Sequence, residues 1–210
     1  MVYIFSAYIA ASCKCNGQED AYGGVGVYTA RHNMVYIFSA YIAASCKCNG
    51  QEDAYGGVGV YTARHKSHRS VPVTQHNFGG NPVTNQRAGL KAVMEAMRAV
   101  EALQNDKLYS DPRIILLIHT DSKYVADIFD PNGPHYLKTW QDNGFLKSRG
   151  QPVKNEEFIR TVAQRLASFK AGGNTIRWKF HSGSPEYHMR AKDLAESACA
   201  ELRSKRRVFL

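Results

Sequence analysis

Residues 114–125 read IILLIHTDSKYV. Ile114 to Ile118 form a short, continuous apolar run, the pattern of a strand buried on both faces rather than one with a wet side. Asp121 follows just beyond the run, and a short helix is expected to start near Ser122. Upstream, residues 86–104 place Val93, Met97, Val100 and Leu103 at helical spacing, which predicts a long amphipathic helix. Before it, a basic turn at Lys66 to Arg69 leads into a strand expected over 71–78.

Downstream, Pro131, Gly133 and Pro134 mark a loop, with further helical turns around Tyr136 to Gln141. Asn155 followed by Glu156 and Glu157 has the form of a helix N-terminus. Phe158, Val162, Leu166 and Phe169 then make one apolar face. TIRWKF at 175–180 alternates like a strand, and a final helix is expected from about Glu186 to Ser204, followed by basic Lys205, Arg206 and Arg207. The order of strands and helices specifies an α/β layer architecture with a mixed sheet.

The first residues contain a perfect repeat. MVYIFSAYIAASCKCNGQEDAYGGVGVYTARH occupies 1–32 and recurs unchanged as 34–65, with Asn33 between the copies. Two copies followed by unrelated sequence do not make a solenoid. Each copy reads as strand, Asn-Gly-containing turn and glycine-rich strand, which is a β-hairpin. The second copy runs into the rest of the chain and is the one expected to belong to its sheet. The first is then free to lie loose, to add to a sheet edge, or to replace the same strands in a neighbouring molecule, which would give a domain-swapped homodimer. The apolar start, Met1 to Ala11, lacks the basic residues of a secretory signal, and its recurrence inside the chain favours a strand.

Of 210 residues, 44% are hydrophobic, enough for a packed core, and no apolar run reaches the length of a membrane span. Net charge is +9. Lys14 and Arg31 balance Glu19 and Asp20 in the first copy, and the second copy repeats that balance, so the whole excess sits in residues 66–210. A concentrated basic excess points to a polyanionic partner, most simply nucleic acid. Cys13, Cys15, Cys46 and Cys48 form two C-x-C pairs, and Cys199 is the fifth cysteine. Their spacing is not that of a zinc ribbon, and reduced intracellular thiols are the expected state.

Six segments then appear in an order that resembles type I ribonuclease H. YIAASCKCNG at 41–50 stands where the family has Y-T-D-G-S-C-x-x-N-G, and TNQRAGLKAVMEAM at 84–97 is similar to T-N-Q-R-A-E-L at the start of the family's first helix. HTDSKYV (119–125), W-x-x-N-G-F (140–145), PVKNEEF (152–158) and HSG (181–183) follow. The resemblance covers about residues 34–200. It implies an RNase H-like fold, a five-stranded mixed sheet flanked by helices, here with an extra N-terminal hairpin copy.

The family's chemistry is metal-assisted cleavage of the RNA strand of an RNA–DNA hybrid, with four carboxylates holding two Mg²⁺ ions. Carried over by motif, the four positions are Ala43 (Ala10 in the first copy), Gly89, Asp121 and Lys192. Asp121 alone is retained, and the quartet's formal charge rises from −4 to zero. Asp193 is the nearest substitute acid, but one step along a helix turns a side chain by about 100°. The resemblance implies that His181 matches a loop histidine that assists product release. It implies minor-groove contacts for Asn49, Asn85 and Gln86, a phosphate pocket at Thr84 and Asn155, and a DNA-strand channel at Trp140 and Phe145. Asn155 also reads as an ordinary N-cap, and Trp140 as a core anchor.

The chain is thus expected to be a catalytically impaired RNase H-like protein, a pseudoenzyme that binds RNA–DNA hybrid or double-stranded RNA and needs no cofactor. Two alternatives stay open. One is an active endoribonuclease, which would need Mg²⁺ at Asp121; the other is a structural or protein-interaction module on the same fold. The expected organisation is a hairpin segment at 1–33, an RNase H-like domain at 34–204 and a basic tail at 205–210, in an intracellular protein of cytoplasm or nucleus.

Overall fold

The computed structural model describes residues 6–14, 22–30, 35–63, 68–104, 113–183 and 185–208. Strands β1 (Ser6–Lys14) and β2 (Tyr22–Ala30) pair antiparallel as a two-stranded sheet of their own. The second copy supplies β3 (Val35–Lys47) and β4 (Tyr55–Thr62), which with β5 (Arg69–Val73), β6 (Arg113–Thr120) and β7 (Thr175–Phe180) build a five-stranded sheet. Its order is β5-β4-β3-β6-β7, with β3, β4 and β5 antiparallel and β6 and β7 parallel to β3 and β6 respectively. This is the mixed α/β sheet expected, with IILLI at its centre; Ile114, Leu116 and Ile118 are buried.

Helices α1 (Asn85–Gln104), α2 (Lys123–Phe129), α3 (Tyr136–Asp142), α4 (Glu156–Ala171) and α5 (Glu186–Val208) complete the described elements. The main core packs α1, α2 and α4 against one face of the sheet, through Val93, Met97, Val125, Ile159 and Val162 over Phe38, Ile42 and Leu116. The opposite face belongs to α5. A Cβ at Gly57 would stand 1.9 Å from the Ala195 carbonyl oxygen, and one at Gly59 would stand 1.9 Å from that of Ala191. The glycines of YGGVGV thus let the helix backbone rest on β4 with no side chain between them.

Two boundaries differ from expectation. The strand expected over 71–78 ends at Val73, and Gln75–Phe78 forms a 3-10 turn. Asn77 Oδ1 accepts the Thr74 N–H at 2.8 Å, a local bond that turns the backbone away from the sheet. The final helix runs to Val208 rather than Ser204, so Lys205, assigned above to a tail, lies inside it and pairs with Glu201. Deep in α1, Glu95 is fully buried yet meets Arg69 of β5, Lys91 and Arg98. Burial opposes its charge, but the three cations outweigh that and hold the carboxyl below its ordinary range.

Candidate nucleic-acid interface around Asp121

β6 delivers Asp121 to the point where its strand ends and α2 begins, with Ser122 accepting the Val125 N–H as the N-cap. Ala43 lies on the neighbouring strand, where Ile42 is in register with Thr120. Ala43, Gly89 and Asp121 line one small cleft of about 200 Å³, together with Asn85, Thr120 and Ser122. A Cβ on Gly89 would meet Val125 Cγ2 at 3.1 Å, so α1 and α2 approach closely there.

α5 also reaches Asp121. Lys192 Nζ is 3.0 Å from Asp121 Oδ2, and His188 Nε2 is 3.1 Å from the same oxygen. The four positions singled out by motif are therefore brought together, but the contact among them is an ion pair. Burial works against the Asp121 charge, and the neighbouring His188 and the Lys192 ammonium overcome it, holding the carboxyl down at about 2. Asp193 is exposed, away from this contact. Among the described residues no group of three or more His, Cys, Asp or Glu side chains is placed to hold a metal ion.

His188 was not anticipated. It is fully buried, and its Nδ1 has no hydrogen-bond partner among the described residues. The signal was present in its spacing, because residues 188 and 192 lie on one helix face and reach the same neighbour. His181 stands nearby, with Nε2 2.8 Å from His119 Nδ1. His119 is 5% exposed and stacks on Tyr41 with ring centroids 4.1 Å apart. Burial, reinforced by His181, Lys179 and His188, pushes the His119 imidazole down to about 4, so it is neutral at physiological pH.

The polar face lies at the N-terminus of α1. Thr84 Oγ1 accepts the Arg87 N–H at 3.1 Å, and Asn49 Oδ1, from the turn between β3 and β4, accepts the Asn85 N–H at 2.9 Å. Asn155 occupies the N-cap position of α4 in a left-handed conformation (φ 62°) but makes no capping bond. Its amide instead reaches Gln86 Oε1 at 3.4 Å and Tyr124 Oη at 3.3 Å, tying α4 to α1 and α2. Thus Asn49, Thr84, Asn85, Gln86 and Asn155 share one surface, and the ordinary N-cap reading of Asn155 gives way.

Trp140 is half-buried and stacks on Tyr136 with centroids 5.6 Å apart. Phe145 needs correction as a binding residue. It is 1% exposed, with Arg160 over its ring at 3.8 Å, and its N–H is bonded to the Trp140 carbonyl. A side chain so enclosed supports Trp140 from below and touches no ligand. Cys46, Cys48 and Cys199 are free thiols, and burial pushes Cys46 up to about 11, far from a reactive thiolate. The side chains of Ala10 and Cys13, and all of Cys15, lie outside what is described.

A family model described as RNase H matches residues 35–200. The chain belongs to the RNase H family. Its relatives include ribonuclease H of Rhodospirillum rubrum, 34% identical over 128 residues, a match covering 60% of this chain and 65% of that protein. Ribonuclease H of Symbiobacterium thermophilum is 31% identical over 119 residues, covering 56% and 69%. The matched stretch thus spans about two thirds of these relatives' length. Among solved structures, a type 1 RNase H with the type 2 active-site motif superposes with a TM-score of 0.54 at 22% identity, over 80% of this chain and 74% of that one. A foamy viral protease-reverse transcriptase in complex with RNA/DNA hybrid gives 0.53 at 22%, over 78% of this chain and 20% of that longer one. Both share the RNase H fold. No described helix is long and apolar enough to cross a membrane.

Proposed function

We propose that this RNase H-family chain binds RNA–DNA hybrid, or the similarly A-form double-stranded RNA, and does not cleave it by the two-metal route. The observation that carries the reading is Lys192 Nζ at 3.0 Å from Asp121. An ammonium group held against the sole remaining carboxylate supplies the positive charge that a hard divalent ion would bring. One carboxylate, an alanine, a glycine and a lysine do not fit two Mg²⁺ ions, which need several anionic oxygens. No catalytic step through a metal follows from this site.

The binding face has what a wide, shallow minor groove requires: neutral amides and a hydroxyl that read shape and 2′-hydroxyls. The side chains of Asn49, Thr84, Gln86 and Asn155 already make hydrogen bonds within this surface, so less side-chain freedom is lost on binding. The basic excess of residues 66–210 adds a sequence-independent attraction for the phosphates. The binding unit is residues 34–208, with residues 1–32 an additional copy of its hairpin.

The test is a labelled RNA–DNA hybrid incubated with Mg²⁺ or Mn²⁺, beside a titration of the same duplex in EDTA. Binding of equal strength with and without metal, and no cleavage, is the expected result. Metal-dependent cleavage abolished by Asp121→Asn would overturn it and make the chain an active ribonuclease, as its relatives are named. Failure to bind at low salt would leave a structural module.

A further inference from the structure

The two hairpins pair in one register. Ala7↔Thr29 in the first becomes Ala40↔Thr62 in the second, and Lys14↔Tyr22 becomes Lys47↔Tyr55. Everything that the sheet and helices read from the second hairpin is repeated in the first. α5 needs the glycines at 57 and 59, matched by Gly24 and Gly26. β6 pairs along Val35–Ile42, matched by Val2–Ile9, and β5 pairs along Gly56–Val60, matched by Gly23–Val27. The N–H at the start of α1 takes Asn49, matched by Asn16.

We propose that the first hairpin is an alternative occupant of the slot bounded by β5, β6, α1 and α5, and that the chain exchanges its two hairpins there. Because the docked contacts are the same for either copy, the balance is set by chain connection. With the second copy docked, the link to β5 is about six residues; with the first copy docked, it is about forty. Loop closure scaling as the three-halves power of length favours the second copy by about 15-fold. Exchange between chains is far less competitive, since a tethered hairpin presents itself at roughly millimolar effective concentration, against micromolar neighbours. The alternative state rebuilds the same surface with Asn16 for Asn49 and Ala10 for Ala43. A lesion in one copy is therefore covered by the other.

Thermal melting of three full-length variants tests this. Gly26→Val is expected to melt like the parent. Gly59→Val, whose Cβ has no room beneath α5, is expected to fold through the first copy, with its folding equilibrium constant lowered about 15-fold. Gly26→Val/Gly59→Val is expected to lose the cooperative transition. Loss of that transition in Gly59→Val alone would overturn the proposal, because the slot would then accept only the second copy. Retention in the double variant would overturn it too, since tolerance at Gly59 would owe nothing to the first hairpin.

Discussion

Around the first turn of α1, polar side chains are held by backbone and by one another: Asn49 accepts the Asn85 N–H, Thr84 accepts the Arg87 N–H, and Asn155 donates to Gln86 and Tyr124. A turn further along the same helix, Gly89 and Ala43 leave a small cleft in which Asp121 pairs with His188 and Lys192 of α5. The first region consists of neutral groups whose hydrogen bonds close locally, so it keeps its geometry without help. A cluster of four acids would repel itself unless cations were bound. Take the cations away and such a cluster has reason to shed charge, and an ammonium on α5 is the most economical replacement for the last one. On the proposed function, grip and cut, though adjacent, depend on different physics and can part company.

That contrast is open to four tests, taken from the largest effect down. Rebuilding the quartet with Ala43→Asp, Gly89→Glu and Lys192→Asp together is expected to produce Mg²⁺-dependent hybrid cleavage, against none expected from the parent. Each single change is expected to give no cleavage, and activity from Lys192→Asp alone would show that the cleft already holds enough acid. On the other side of the divide, Gln86→Ala removes one direct contact and loosens Asn155. A loss of about 5-fold in hybrid affinity at fixed salt is expected, on the scale of one hydrogen bond at about 1 kcal/mol, with an unchanged melting temperature. Unaltered affinity would move the interface elsewhere.

Lys192→Met should leave hybrid cleavage absent and let the Asp121 carboxyl titrate upward from about 2 toward its ordinary range, as followed by carboxyl NMR. Its stability cost, for a pair about one-third exposed, is about 1 kcal/mol after solvent screening. The parent pair holds full stability above the ordinary aspartate range and loses it as pH falls through the folded value. His119 acts in a higher window. Its imidazole is depressed to about 4, so the unfolded chain takes up a proton below about pH 6.5 and the folded chain does not. Stability is expected to decline as pH drops from about 6.5 to 4, and His119→Phe should flatten that part of the melting profile.

Much of this architecture was legible in residue order. IILLI announced the central strand, and the spacing of Val93, Met97 and Val100 announced α1. The errors came where a few local bonds decide. The strand expected through Phe78 stops at Val73 because Asn77 captures the Thr74 N–H. Asn155 has the composition of an N-cap, but only the fold shows its amide turned toward Gln86. Phe145 stands in an aromatic segment that reads as a channel, yet a left-handed backbone (φ 65°) and Arg160 place it inside. The positions matching the family's acids were visible as Ala43, Gly89 and Lys192; that Lys192 pairs with Asp121, and that His188 joins it, required α5 to be laid on the sheet.

The contact between α5 and β4 also bears on evolutionary reversibility. With the Ala191 and Ala195 carbonyls resting on Gly59 and Gly57, the helix is keyed to the sheet and cannot roll by one residue to offer Asp193 in place of Lys192. An acid can return to that corner only by substitution at 192 itself, where alone it would set two carboxylates face to face. On the proposed function, the intermediate steps toward catalysis are therefore each unfavourable, and the keyed helix makes the change at this corner a one-way step.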